Sequence, residues 1–249
     1  MADRDDGRDW HVHPLAAGVR VRVVRAMPAL PAALDAEVAR LWAAAQARMG
    51  GALFNGRVFS ADRIAPDLIE GHWTEYRRVV ARMDRPAIAA DLPVAPLAVG
   101  GVIVGGTGAD RFVLFGRRPV GAVYQAGEWQ LPPAGSLDMS AADGDDVDPV
   151  RQLRTELAEE LGLPGAAVQS PRALCVVEHP GSGVLDLGIA VHTDWSVADL
   201  LAAHARGGNG EYAPLQAVPL ADLPAFLARH AGQVTRQAPI FLARAGLLR

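Results

Sequence analysis

The sequence predicts an α+β fold, on three observations. Short segments such as Leu185, Leu187, Ile189 and Val191 place apolar residues at every second position, the period of a strand. Other segments carry apolar residues at helical spacing, with capping residues at their ends. The two kinds are interspersed without the regular strand-helix repeat of a doubly wound sheet. With 249 residues, half of them hydrophobic, the chain has material for one large domain or two small ones.

Taken in order, residues 1–14 are polar and are expected to be frayed. Residues 18–24 alternate Val with Arg, as a half-buried strand does. Leu34, Val38, Leu41 and Trp42 recur at helical spacing over 34–49, and Gly50-Gly51 closes that helix. Residues 53–59 read as strand and turn, 74–83 as a helix, and 91–96 as a Pro-containing linker. That linker divides the expected N-terminal α/β region, 1–95, from a second region, 96–249. Strands are expected at 97–104, 111–117 and 185–191, and helices at 148–161, 196–205, 220–230 and 235–247. Glu178 and His179 precede Pro180-Gly-Ser-Gly183 and mark a hairpin end rather than a ligand pair.

Composition excludes several functions. The net charge of -4 supplies no basic field for a nucleic-acid backbone, so a small diffusible anion is the better partner. Lys is absent, which rules out a Lys Schiff base and a P-loop lysine. The single cysteine, Cys175, lies in an apolar run and is expected to be a buried strand residue; one thiol makes neither a disulfide nor a Cys-rich zinc site. With a polar N-terminus and no long apolar run, the expectation is a soluble protein of a reducing cytoplasm, with no membrane partner.

The chemistry concentrates at residues 148–163. Asp148 is a good N-cap, Pro149 a good first helical residue, and Gly162 a good left-handed terminator. Val150, Leu153, Leu157 and Leu161 form one apolar stripe. Glu156, Glu159 and Glu160, at i, i+3 and i+4, share another face. None has a basic residue three or four positions toward the C-terminus, and all lie where the helix dipole disfavours negative charge. A hard divalent cation would offset that repulsion; a solvated acidic face is the plain alternative.

Upstream, Trp129-Gln-Leu-Pro-Pro-Ala-Gly135 reads as a strand entering a tight turn. Together these pieces resemble the box of the Nudix hydrolases. Glu156-Leu157-Ala158-Glu159-Glu160-Leu161-Gly162-Leu163 matches the second half of the box, and Gly135 its opening turn. Two departures stand out. Thr155 occupies the usual Arg position, and Gly135 and Thr155 lie 20 positions apart, about six more than in the general box. The insert, 138–148, is acidic and is expected to be a surface loop, and it offers no counterpart for the first Glu of the box.

The resemblance implies a Nudix α/β/α sandwich with an additional N-terminal α/β region packed against it. It implies Mg2+, or Mn2+, held by Glu156, Glu159, Glu160 and Gly135, with Glu160 or Glu211 as the base. Arg117 and Arg118 are expected to meet phosphate. The wider chain is most similar to the animal Nudix-type UDP-glucose pyrophosphatases, which implies cleavage of a UDP-sugar to UMP and sugar 1-phosphate. ADP-ribose or another dinucleotide is the alternative substrate, and a non-catalytic nucleotide-binding module the alternative class. The N-terminal aromatics need burial, so that region is expected to pack beside the cleft and to offer Phe54, Asn55 and Tyr76 to the nucleoside. The oligomeric state is not legible.

Overall fold

The computed structural model describes residues 10–122 and 125–248. In chain order the elements are β1 (His11–Pro14), β2 (Arg20–Val23), α1 (Ala32–Arg48), β3 (Arg57–Ile64), β4 (Leu68–Glu75) and α2 (Tyr76–Asp84). Then come β5 (Leu97–Gly105), β6 (Phe112–Arg117), β7 (Trp129–Gln130), β8 (Ala134–Ser136), β9 (Ala142–Asp143), β10 (Asp146–Val147) and α3 (Pro149–Leu161). The chain ends with β11 (Gln169–Glu178), β12 (Leu185–Thr193), α4 (Val197–Gly207), β13 (Leu215–Pro219), α5 (Leu223–Arg229) and α6 (Gln237–Arg244).

The larger sheet runs β1-β11-β12-β5-β6-β13, with β7 beside β6 and β8 beside β5. Its central pair, β12 and β5, is parallel, and the neighbouring pairs are antiparallel. Alternation sends its side chains to two layers. Leu97, Val99, Ile103 and Leu114 face the side covered by Leu153, Leu157 and Leu161 of α3 and Leu200 of α4. Val102, Val113, Phe115 and Val177 face Phe226 of α5 and Phe241 of α6. The result is mixed α+β, a sheet between two helical layers. Each α3 leucine buried there contributes about 1.5–3 kcal/mol.

A second sheet runs β3-β4-β2-β10-β9. One face adds Val21, Phe59 and Ile69 to the same core as the α3 leucines. The other carries Val58 against Val38 and Leu41 of α1, Val79 of α2, and Leu92 and Val94. The sheets are stitched where Phe59 N–H donates to the Leu137 carbonyl (2.8 Å) and Ala61 N–H to that of Ala95 (2.8 Å).

Several expectations need correction. The insert at 138–148 is not a surface loop: β10 pairs with β2 through Asp146–Arg22 and Val147–Val21, and Ala141 and Val147 are buried. Asp143, Asp145 and Asp146 face solvent while Ala141 and Val147 enter the core. Residues 11–14, expected to be frayed, form an edge strand on β11; residues 1–9 lie outside the described residues. Thr74 and Glu75 end β4 rather than begin a helix, because this strand is buried on both faces, one of them through His72 and Thr74, and so shows no apolar alternation. The 91–96 segment buries Leu92 and Val94 and is a packed connection. The Cys175 and hairpin-end expectations agree with the structure.

Candidate functional site

The α3 helix begins as its sequence dictates. The Asp148 carboxylate accepts from the N–H groups of Val150 (2.9 Å) and Arg151 (3.1 Å). It ends at Gly162, whose φ of 67° is open to glycine without strain. Between these caps the leucine stripe fixes the rotation of the helix, and that rotation aims Glu156 and Glu160 at the β8 turn.

Glu160 is 5% exposed, and its Oε2 accepts from the Ala134 N–H at 2.9 Å. Glu156 lies so close to Gly135 that a Cβ built there would overlap its carboxylate, so any other residue would push that carboxylate aside. The Glu156 Oε1 also accepts from the Gln152 amide at 2.8 Å. The Gln152 carbonyl oxygen in turn accepts from Asp138 N–H (3.1 Å) and Ser140 Oγ (3.2 Å), which ties the insert to the acidic face. Glu159 is exposed; its charge acts on Glu156 through space.

From β13's side, Glu211 reaches Arg118, whose Nη1 lies 2.7 Å from its Oε1. Arg118 also donates to Gln130 at 3.3 Å. Tyr212, fully buried, packs on Gly116, and its hydroxyl has no hydrogen-bond partner among the described residues.

Burial and mutual repulsion show in the acidities. Burial, above all, pushes Glu156 up to about 7, with Glu159, Asp138 and Glu211 adding repulsion and the Gln152 amide opposing it. Burial, then Glu156, pushes Glu160 up to about 9, against the Ala134 N–H and the Arg118 charge. Burial raises Tyr212 well above the usual phenol range, and the charges of Glu160, Glu211 and Glu156 add to this.

In front of Glu156 opens a cleft of about 670 Å3 whose walls include Phe54, Asn55, Arg57, Tyr76 and Met139. Phe54 is 83% exposed at its rim. Arg118's charge acts on Tyr76, so the cleft adjoins the Glu211 pair. The structure therefore gathers Glu156, Glu160, Glu211, Arg118, Gly135, Phe54, Asn55 and Tyr76 around one region. Arg117 is the exception. Its Nε donates to the Gly127 carbonyl at 3.0 Å and its side chain is exposed, because successive strand residues point to opposite faces.

Sequence reasoning missed Gln152, Asp138, Arg57 and Tyr212. Gln152 was within reach, since it precedes Glu156 by four on the same helical face. The others come from the insert, a strand start and a buried loop, and no local spacing points to them.

The donor set suits a hard divalent cation: carboxylate oxygens beside a glycine turn that leaves space for them. As they stand, no three His, Cys, Asp or Glu side chains among the described residues form a group that could hold a metal ion. Gln152, Ala134 and Arg118 hold Glu156, Glu160 and Glu211 individually. No helix among the described residues is long and apolar enough to cross a membrane.

No family model and no curated protein matches the chain. Solved structures do resemble it at low identity. A mutT/nudix family protein from Listeria innocua is 13% identical, with 61% of this chain and 91% of that chain covered and a TM-score of 0.44. A NUDIX hydrolase from Alicyclobacillus acidocaldarius is 17% identical, covering 61% and 90%, with a TM-score of 0.44. An Ap4A hydrolase of C. elegans is 16% identical, covering 61% and 95%, with a TM-score of 0.38. At these scores the functional reading rests on the residues of the chain itself.

Proposed function

We propose that this chain is a Nudix-type, Mg2+-dependent hydrolase of the pyrophosphate bond in a nucleoside-diphosphate compound. The observation that carries it is the pair Glu156 and Glu160, one half-buried and one buried, both with raised pKa values, on a helix whose sequence matches the second half of the box. Uncompensated carboxylates at the back of a cleft are costly unless a cation uses them.

Glu156, Glu159 and Glu160 would hold the cation, which supplies charge neutralisation at the phosphates and an acidified water. Glu160 is committed to the Ala134 N–H and nearly inaccessible, which suits a ligand better than a proton acceptor. Glu211 reaches solvent on one side and Arg118 on the other, so we assign the base to Glu211. Arg118 is the phosphate-facing cation; Arg117, turned to Gly127, is not. The cleft volume suits a nucleotide, with Phe54 and Tyr76 beside the nucleoside. In this reading 96–249 supplies the carboxylates and 1–95 supplies the opposite wall. The resemblance of the wider chain supports a UDP-sugar as the substrate, cleaved to UMP and sugar 1-phosphate, with ADP-ribose or another dinucleotide as the alternative.

One observation favours a second reading, a non-catalytic nucleotide-binding module: Thr155 spends its hydroxyl on the Arg151 carbonyl (3.2 Å), where the box carries Arg. Incubation with Mg2+ and a panel of nucleotide sugars and dinucleotides, with products quantified, separates the two. Turnover that disappears in Glu160→Gln supports the hydrolase; nucleotide binding without turnover supports the module.

A further inference from the structure

The segment at residues 54–57 is an irregular connection that runs into the start of β3. Its backbone is pinned to the start of α2, where the Gly56 carbonyl accepts from Tyr76 N–H (2.9 Å) and the Asn55 Oδ1 from Arg77 N–H (2.9 Å). The second bond also fixes the orientation of the Asn55 amide. A backbone N–H only donates, so the side-chain oxygen must face it, and the NH2 is what remains. That NH2 has no hydrogen-bond partner among the described residues, and Asn55 lines the cleft beside Glu156. Asn55 therefore presents donors there, and no acceptor.

Its neighbours complete the set. The Phe54 ring lies over Gly56, where an added Cβ would stand 3.1 Å from it, so the ring is propped while 83% of the residue stays exposed. Arg57 lines the same cleft and has no carboxylate or other side-chain partner among the described residues. Its neighbours differ: Arg25, Arg63 and Arg77 are each held by an acid. A flat propped ring, a donor-only amide and a free guanidinium converge on one kind of ligand.

We infer that residues 54–57 form a nucleotide-selecting edge: Phe54 stacks the base, Arg57 meets a phosphate, and Asn55 selects a base bearing a keto oxygen over its amino counterpart. This deepens the hydrolase reading by naming the residues that read the base and the atom they read, and it rests on that reading for the use of the cleft. A keto oxygen accepts from the Asn55 NH2. An amino group at the same position sets donor against donor and leaves both unpaired.

The test uses UMP and CMP, which differ by keto against amino at one ring carbon and contain no pyrophosphate to cleave. Binding to the full chain is measured by calorimetry with saturating Mg2+. UMP is expected to bind about tenfold tighter than CMP. Asn55→Asp keeps an oxygen for the Arg77 N–H and turns the other from donor to acceptor, so it should invert the preference. Arg57→Gln should weaken UMP and CMP by the same factor and leave uridine unchanged. Equal affinity for the two nucleotides, an unchanged ratio in Asn55→Asp, or binding of neither overturns the inference. The hydrolase reading is judged separately, by turnover in wild type and Glu160→Gln. Turnover with no base preference sinks only the selection, and a base preference with no turnover sinks only the hydrolase.

Discussion

The acids of the N-terminal sheet and those of α3 are treated in opposite ways. In the first, Asp62 is gripped by Arg25 and His72, Glu70 by Arg63 and Glu75 by Arg77, and on the neighbouring α1 Glu37 is held by Arg40 and Arg85. On α3, Glu156 has an amide and Glu160 a backbone N–H, and both carry raised pKa values. Compensated charge holds a region together; clustered, uncompensated charge weakens it and marks where a ligand is to supply the missing sign. The contrast locates function in α3 without appeal to any relative.

The largest test of the contrast removes one α3 charge. Glu160→Gln should lower Mg2+-dependent turnover by about a thousandfold or more. The same change should leave the metal-free melting temperature equal or higher, since Glu160 must take up a proton to be buried and Gln need not. Glu159→Gln should behave likewise in turnover. Near-normal rates in either variant would make these carboxylates ordinary surface charge.

Next comes the seam between the two regions. Deleting residues 142–147 leaves Ala141 to join Asp148, and these already meet through the Asp148 N–H and the Ala141 carbonyl at 2.8 Å. Chain closure is therefore easy, and the cost should come from β10 leaving β2 and from lost burial of Val147, about 2–4 kcal/mol. Chemical denaturation measures it. A variant as stable as wild type would return the insert to the status of a loop.

That seam also shows what the sequence could and could not tell. The α3 helix was legible because Asp148, Pro149, the leucine stripe and Gly162 are local signals that agree. Strands β5, β6 and β12 were legible for the same reason. The insert was not, because β10 is held by β2, more than a hundred residues away in the chain, and its other partner is the equally short β9. β4 hid its period by burying Ile69 and Thr74 on opposite faces. The site divides in the same way. The glutamates announced themselves by spacing, whereas Arg57 and Asp138 become neighbours of Glu156 only through packing.

The two regions should also respond to pH with opposite sign. Glu156 and Glu160 have folded values above their ordinary one, so their protons stabilise the fold in acid. Stability should fall as pH rises from about 4.5 toward 7 for Glu156 and toward 9 for Glu160. Asp62 is lowered below its ordinary value, despite burial, by the hydrogen bonds of Arg25 and His72, and burial lowers His72. Their contributions are complete above 6.5 for His72 and above 3.8 for Asp62, and are lost as pH falls below those values. Melting curves of the metal-free chain should show both limbs. Glu160→Gln should flatten the alkaline limb alone, and a metal titration at pH 8 should restore what that limb loses. Asp62→Asn should flatten the acid limb and leave turnover unchanged.

The smallest effect belongs to the pairs that look most numerous. Glu37 accepts from Arg40 (2.8 Å) and from Arg85 (2.5 Å), a crossing point between α1 and the end of α2. It is gripped as Asp62 is and is no more exposed, yet both of its partners lie at the surface, where water screens the attraction and two long side chains lose freedom to make it. Asp62 differs because its partner His72 is fully buried and depends on that carboxylate. Asp62→Asn should therefore cost about 1–3 kcal/mol, whereas Glu37→Gln should leave the melting temperature within experimental error at moderate salt. Measured side by side, the two variants separate charge pairing that stabilises from charge pairing that only decorates. A Glu37→Gln loss as large as that of Asp62→Asn would show that compensation itself, and not burial, holds the N-terminal sheet together.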